Sequence, residues 1–318
     1  MACLLSTLIL LGASSLAAER SPTREPGSGL EPITPIPAPP DQDPRRLLLG
    51  EQLFSDRRLS HDETRSCFTC HDTRTNGASA NANRHDLTPD GQELALTTPS
   101  VFNAALDFRQ DWEGDFRTLE EEAEGAATNP AIMGSTIAEL VAKLKADPKL
   151  VALFQDAYGR EPDRENIFGA IAAYERSLLT PGSRFDRWLA GDASAITPLE
   201  LSGYQTFKSL GCISCHQGVN VGGNLFERHG IFHPLGTPEP PLLRVPSLRN
   251  VAAMAPYFHD GSAPTLPQAV KAMGFAQLDR VLTEEQVGGI VAFLNTLTGT
   301  YHGREIMPAA GAHPPPSP

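Results

Sequence analysis

The chain has 318 residues, enough for two domains of ordinary size, and its 40% hydrophobic and 20% charged residues exclude global disorder. Its formal net charge of −12 excludes nucleic acid as a general partner, because phosphate binding needs a basic surface. The same charge suits a basic protein partner.

In chain order, Met1–Ala18 pairs a short apolar run with small residues, the pattern of a secretory leader cleaved after Ala17 or Ala18. No Lys or Arg precedes the run, and it is short for a membrane span. The reading implies export to the periplasm, the medium or the cell surface. Residues 19–44 are rich in Pro and read as an extended linker. A helical pattern follows. Thr136-Ile-Ala-Glu139 is a capping-box sequence ahead of Ile137, Leu140, Val141 and Leu144. Asp163 caps a helix carrying Ile167, Ile171, Tyr174 and Leu178. Thr197-Pro198-Leu199-Glu200 opens another, and Thr283-Glu-Glu-Gln286 opens the last, through Ile290, Phe293 and Leu297. Loops rich in Gly and Pro span 72–100 and 217–247, and residues 306–318 read as a disordered tail.

The chain has five cysteines. Cys3 lies in the leader, and the rest form Cys67-Phe-Thr-Cys70-His71 and Cys212-Ile-Ser-Cys215-His216. Two thiols separated by two residues reach the two vinyl groups of a haem, and the following His offers an imidazole to its iron. Four thiolates on one zinc would leave both terminal histidines unexplained. Thioredoxin-like chemistry would need a βαβ frame that neither motif has. Gly50-Glu-Gln52-Leu-Phe54 precedes the first motif and Gly203-Tyr-Gln205-Thr-Phe207 the second, a faint repeat. The expectation is a mainly α chain with two cytochrome-c-like haem domains in tandem, at 45–185 and 186–305, with long loops wrapped around two covalent haems. A thioether at the sixth iron position would suit electron transfer, and an open position would suit peroxide. Met133, Met254, Met273 and Met307 are the candidates, and spacing does not choose among them.

Longer stretches resemble the bacterial dihaem cytochrome c peroxidases and their MauG-like relatives. They are Leu53-Phe54-Ser-Asp56-Arg-Arg-Leu59-Ser60, Pro99-Ser-Val-Phe-Asn103-Ala104, Trp112-Glu-Gly114, Arg249 to Gly261, and Ala272 to Leu278. The resemblance covers about residues 45–300. It implies hydrogen peroxide as substrate, a small cytochrome c or cupredoxin as electron donor, and frequent homodimers. It implies that Met273 ligates an electron-accepting haem on His216, that His71 serves the peroxidatic haem, and that Trp112 relays electrons between them. Arg244 matches an arginine beside the haem propionates, chemically apt because guanidinium pairs bidentately with carboxylate. A calcium ion between the domains would take carbonyls of Met254 and Pro256, with Thr97 where the family has Asn. His85 is the loop histidine implied to cap the first iron at rest.

One departure concerns proton transfer. The family's pocket Gln and Glu fall on Glu122 and Ile132, so Glu122 is expected to take over as the acid–base group. Its rival reading is one more acidic residue on a solvated face with Glu120, Glu121 and Glu124. Two other functions remain open. A MauG-like enzyme oxidises a protein side chain, but carries Tyr where Met273 stands. A non-enzymatic dihaem carrier would explain Ile132.

Overall fold

The computed structural model describes residues 31–79, 81 and 85–309. The leader with Cys3, the linker before Glu31 and the tail beyond Ala309 lie outside the described residues.

Ten helices carry the fold among the described residues: α1 (Pro44–Phe54), α2 (Cys67–Cys70), α3 (Leu119–Thr128), α4 (Ile137–Lys145), α5 (Pro148–Tyr158), α6 (Arg164–Ser177), α7 (Arg184–Leu189), α8 (Pro198–Ser209), α9 (Leu266–Leu278) and α10 (Glu284–Asn295). The expected caps form. Asp163, Thr197 and Thr283 make reciprocal capping boxes at α6, α8 and α10. At α4 only half of the box forms, since Thr136 accepts from the Glu139 amide. The Glu139 carboxylate is drawn instead to Lys143 at 2.9 Å and His61 at 3.1 Å.

The glycine repeat has a packing cause. α1 crosses α6, and α8 crosses α10. A methyl at Gly50 would collide with the Ala170 carbonyl, and one at Gly203 with the Gly289 carbonyl. Each crossing seeds a core. Leu49, Leu53, Phe54, Phe154, Ile167 and Ile171 lead the first. Phe185, Tyr204, Phe207, Ile290 and Phe293 lead the second. Each such side chain contributes about 1.5–3 kcal/mol by leaving water.

The two halves exchange arms. The linker is no free tether from Glu31 onward. Ile33 is buried in the second core and bridges Gly218, while Glu31 accepts from the Tyr204 hydroxyl at 2.6 Å and the Lys208 ammonium at 2.9 Å. In return, the hairpin of β3 (Thr300–Tyr301) and β4 (Arg304–Glu305) lies on the first core. There Tyr301 meets Phe102 at 5.1 Å between ring centroids, and Ile306 is buried. Residues 306–309, read as the start of a disordered tail, are therefore packed at their apolar positions, Ile306 and Ala309. A second short pair, β1 (Phe226–Glu227) with β2 (Leu243–Arg244), is antiparallel with Phe226 opposite Arg244. Among the described residues no helix is long and apolar enough to cross a membrane.

Candidate functional site

Both cysteine motifs sit on a single tight turn that ends at its histidine. In the first, the Ser66 amide donates to Thr69 Oγ1 at 3.0 Å and the His71 amide to the Cys67 carbonyl at 2.9 Å. In the second, Gly211 enters with φ 96°, and the His216 amide reaches the Cys212 carbonyl at 3.0 Å. His71 Nδ1 faces the Gly77 carbonyl at 3.3 Å, and His216 Nδ1 faces the Val221 carbonyl at 3.3 Å. An Nδ1–H given to a carbonyl leaves the Nε2 lone pair for a metal. Burial pushes His216 down to about 4, so its ring is neutral and able to ligate. The four thiols form no disulfide, and burial raises Cys70 to about 12 and Cys212 to about 11. Such thiols are not poised as thiolates for disulfide exchange.

The second motif opens on a cavity of about 470 Å³. Cys212, Cys215, His216, Met273, Arg244 and Trp112 line it, among mostly apolar walls. α9, capped by Thr265, carries Met273 to this wall. Of the methionine candidates, Met254 also lines the cavity, Met133 is buried in the first core, and Met307 is exposed. Two thiols, an imidazole, two thioethers and a buried guanidinium around an apolar slot are groups that could hold a covalent haem. Arg244 Nε donates to the Asp111 carbonyl at 3.0 Å. Its Nη1 comes within 2.7 Å of Asp107 Oδ2, a contact between charges along which no N–H points, and it has no directed hydrogen-bond partner.

Around the first motif the acidic run on α3 divides by role. Glu120 pairs with Arg176 at 2.6 Å, Glu124 with Arg164 at 2.9 Å, and Glu121 accepts from the Arg117 amide at 2.8 Å. Those three fit a structural helix face. Glu122 does not, because desolvation, then the charge of Asp111, raises its carboxyl to about 7. Sequence reasoning missed a second acid. Glu175 on α6 is 5% exposed, its Oε2 has no hydrogen-bond partner, and burial followed by Glu122 raises it well above the carboxylate range. Both carboxyls raise Cys67 through their charge, which puts both within electrostatic reach of the first attachment turn. Glu175 lies four residues after Ile171 and three before Leu178, so helical spacing alone would have put it on the apolar face. Ile132 packs against the first core.

Trp112 donates its indole N–H to the Thr97 carbonyl at 2.7 Å and meets His259 edge-on at 6.4 Å. Its own carbonyl accepts from the Arg244 amide at 2.8 Å. Thr97 spends its hydroxyl on the Phe258 carbonyl at 3.2 Å. It thus joins the 257–259 loop, which follows Met254 and Pro256 in the chain. His85 places Nδ1 at 2.6 Å from the Leu94 carbonyl and Nε2 at 3.2 Å from the Asp260 carbonyl. Both ring nitrogens thereby face carbonyl oxygens, one of them in the other half of the chain.

Fold and site together define a tandem c-type cytochrome with two attachment turns in unlike surroundings. Residues 44–194 match the di-haem cytochrome c peroxidase family, and residues 201–298 match cytochrome c. The chain is 39% identical over 285 residues to the cytochrome c551 peroxidase of Nitrosomonas europaea, covering 85% of this chain and 84% of that one. It is 38% identical to the cytochrome c peroxidase of Escherichia coli, of whose greater length it spans 62%. A solved MauG-like protein associated with microbial copper homeostasis superposes with a TM-score of 0.69 at 25% identity, covering 84% of this chain and 93% of that one. The chain belongs to the dihaem cytochrome c peroxidase family.

Proposed function

We propose that the chain reduces hydrogen peroxide to water with electrons from a small redox protein. The asymmetry of the two motifs carries this reading: a thioether lines the second cavity, whereas a half-buried carboxyl raised to about 7 acts electrostatically on Cys67 of the first turn. Two haems held by Cys67, Cys70 and His71 and by Cys212, Cys215 and His216 would supply the redox chemistry. Met273 and His216 would hold the iron of the second haem, and Arg244 would pair with a haem carboxylate. Glu122, in its acid form, gives a proton to the departing peroxide oxygen and recovers it from water. A carboxyl near 7 suits that task because both of its forms are populated at neutral pH. Trp112 fills the wall between the halves and bridges them through Thr97 and Arg244. His85 could cap the iron of the first haem only by leaving the Leu94 and Asp260 carbonyls.

The finer elements rest on the same reading. The donor is a basic cytochrome c or cupredoxin, complementary to the net charge of −12. The protein works in the periplasm, where thioether haem attachment and its donors meet. A calcium ion would draw on carbonyl oxygens at Met254 and Pro256, with Thr97 contributing less than the family's Asn because its hydroxyl is already engaged. A homodimer fits the family pattern. Met273, where a side-chain-oxidising relative has tyrosine, weighs against that second function.

The test is turnover. Half-reduced protein given peroxide and a reduced cytochrome should oxidise the cytochrome catalytically. Stoichiometric oxidation that then stops would overturn the peroxidase reading in favour of a carrier.

A further inference from the structure

Asp107 ends the short turn Ala104–Leu106 in the first half of the chain, yet its side chain belongs to the second cavity. That side chain is 6% exposed. Asn220 Nδ2 donates to its Oδ1 at 2.6 Å, and Arg244 Nη1 lies 2.7 Å from its Oδ2. Asn220 is itself fixed, since the Ser247 hydroxyl donates to its Oδ1 at 2.9 Å. A methyl on Gly223 would strike the Asp107 carboxylate, so the backbone is built around this group. Asp107 thus shares the cavity wall with Cys212, His216 and Met273.

We propose that Asp107 is a redox-linked proton site for the haem of the second motif. When that haem gains one electron from the donor protein, the Asp107 carboxylate binds one proton from water. An O–H bond forms on the carboxylate, and the cavity's net charge is unchanged. Oxidation returns the proton. The physical cause is the low dielectric of the cavity, where an added negative charge strongly favours protonation of a neighbouring carboxylate. Asp107 stands ready for this. Burial raises it to about 6, against the opposing pull of Arg244 and Asn220. Among the other charged or titratable groups on the wall, Arg249 is neutralised by Asp186 at 2.8 Å, whereas Glu227, Arg228, His229 and His259 make no hydrogen bond or ion pair with Asp107.

The inference rests on the reading that the second motif carries the electron-accepting haem, and it needs no peroxide. The holoprotein is titrated electrochemically, the second haem being followed optically from about pH 5 to about pH 8. Wild type should show a midpoint potential that falls as pH rises above about 6. The limiting slope is about 59 mV per tenfold change in proton activity, for one electron and one proton. In Asp107→Asn the slope should vanish. Its potential should match wild type on the acid side and exceed it on the alkaline side, since Asn mimics the neutral acid. A structural role would shift the potential equally at every pH, and haem propionates would leave the slope in place. Either result overturns the proposal, as does a flat wild-type curve. Should the variant misfold, the wild-type reduced-minus-oxidised infrared spectrum decides: reduction near neutral pH should add a carboxylic-acid C=O band, and its absence overturns the assignment. A chain without catalytic peroxide turnover can still pass this test, so the two failures are distinguishable.

Discussion

Asn103 and Asn250 grip the same hydroxyl, that of Thr180, from opposite halves of the chain. Asn103 Nδ2 donates to Thr180 Oγ1 at 2.8 Å and Asn250 Nδ2 donates to it at 3.0 Å. Both residues hold left-handed backbone, with φ of 64° and 59°, a conformation that Asn tolerates better than most residues. The surroundings repeat as well. The Asn103 amide donates to the Leu178 carbonyl and its Oδ1 accepts from the Thr180 amide. The Asn250 amide donates to the Leu297 carbonyl and its Oδ1 accepts from the Gly299 amide. The halves are therefore a structural repeat that meets at Thr180.

Removing either amide strands buried partners. Asn250→Ala leaves the Gly299 amide without its side-chain acceptor and imposes left-handed backbone on Ala. We expect a loss of about 2–4 kcal/mol, read as a lower denaturation midpoint with unchanged m. Asn103→Ala should behave alike, because its bonds are the same in kind. An exposed asparagine such as Asn295 offers the control. A midpoint unchanged in both variants would mean that the seam is not a stabilising contact.

Much of this was legible in the sequence, and for local reasons. Caps at Asp163, Thr197 and Thr283 involve residues three apart, and the glycine repeat at Gly50 and Gly203 reports helix crossings. The haem turns are local too. What escaped was long-range. Nothing near Glu31 announces that it will meet Tyr204, nor near Tyr301 that it will meet Phe102. The repeat Pro99-Ser100 to Asn103 against Pro246-Ser247 to Asn250 was present in the sequence but gains meaning only when Thr180 joins it. Glu175 was hidden differently. The spacing of Ile171 and Leu178 defines its apolar face, but a carboxyl so rarely occupies such a face that the pattern alone does not mark it as buried.

Glu122 should govern both rate and stability with pH. Its folded-state carboxyl, near 7, lies above the ordinary Glu value of about 4.3. Stability from this group is therefore full below that ordinary value and is lost as pH rises through about 7. Glu122→Gln should abolish this alkaline loss, making the variant relatively more stable at about pH 8 than at about pH 5, by about 2–3 kcal/mol. Peroxide turnover should fall about 10²-fold or more, because Gln cannot deliver a proton. Denaturant melts at two pH values and steady-state rates check both halves.

Glu175 should tolerate the neutral isostere and little else. Burial, then the charge of Glu122, pushes it well above the usual carboxylate range, which favours the acid form, and Glu175→Gln mimics that form in charge and shape. That variant should change stability by less than about 1 kcal/mol, whereas Glu175→Ala should cost about 2–4 kcal/mol by opening a cavity. A large loss in Glu175→Gln at neutral pH would show that the carboxylate is ionised and needs its charge. Calorimetry of the two variants separates these outcomes.

Met273 should set the potential of the second haem. A thioether ligand raises the potential of haem iron relative to a second imidazole. Met273→His should therefore lower the midpoint potential of that haem and slow reduction by the donor. Met254→Leu, on the same cavity wall, should leave the potential near wild type. Potentiometry of the two variants distinguishes the candidates, and the reverse pattern would give the ligand role to Met254.

Trp112 poses the last question, because its position serves two roles at once. Its backbone carbonyl fixes the Arg244 amide, while its indole reaches Thr97 and the edge of His259. Trp112→Phe keeps the backbone bond and an aromatic ring but loses the indole hydrogen bond, worth about 1 kcal/mol. If Trp112 only packs, the variant should lose that stability and keep its rates. If it relays electrons, reduction of the second haem by the donor should stay fast while peroxide-driven oxidation of that haem slows. Stopped-flow mixing resolves the two phases separately. We expect the second outcome, because Trp112 lines the wall of the second cavity yet belongs to the first half of the chain, where its indole donates to the Thr97 carbonyl.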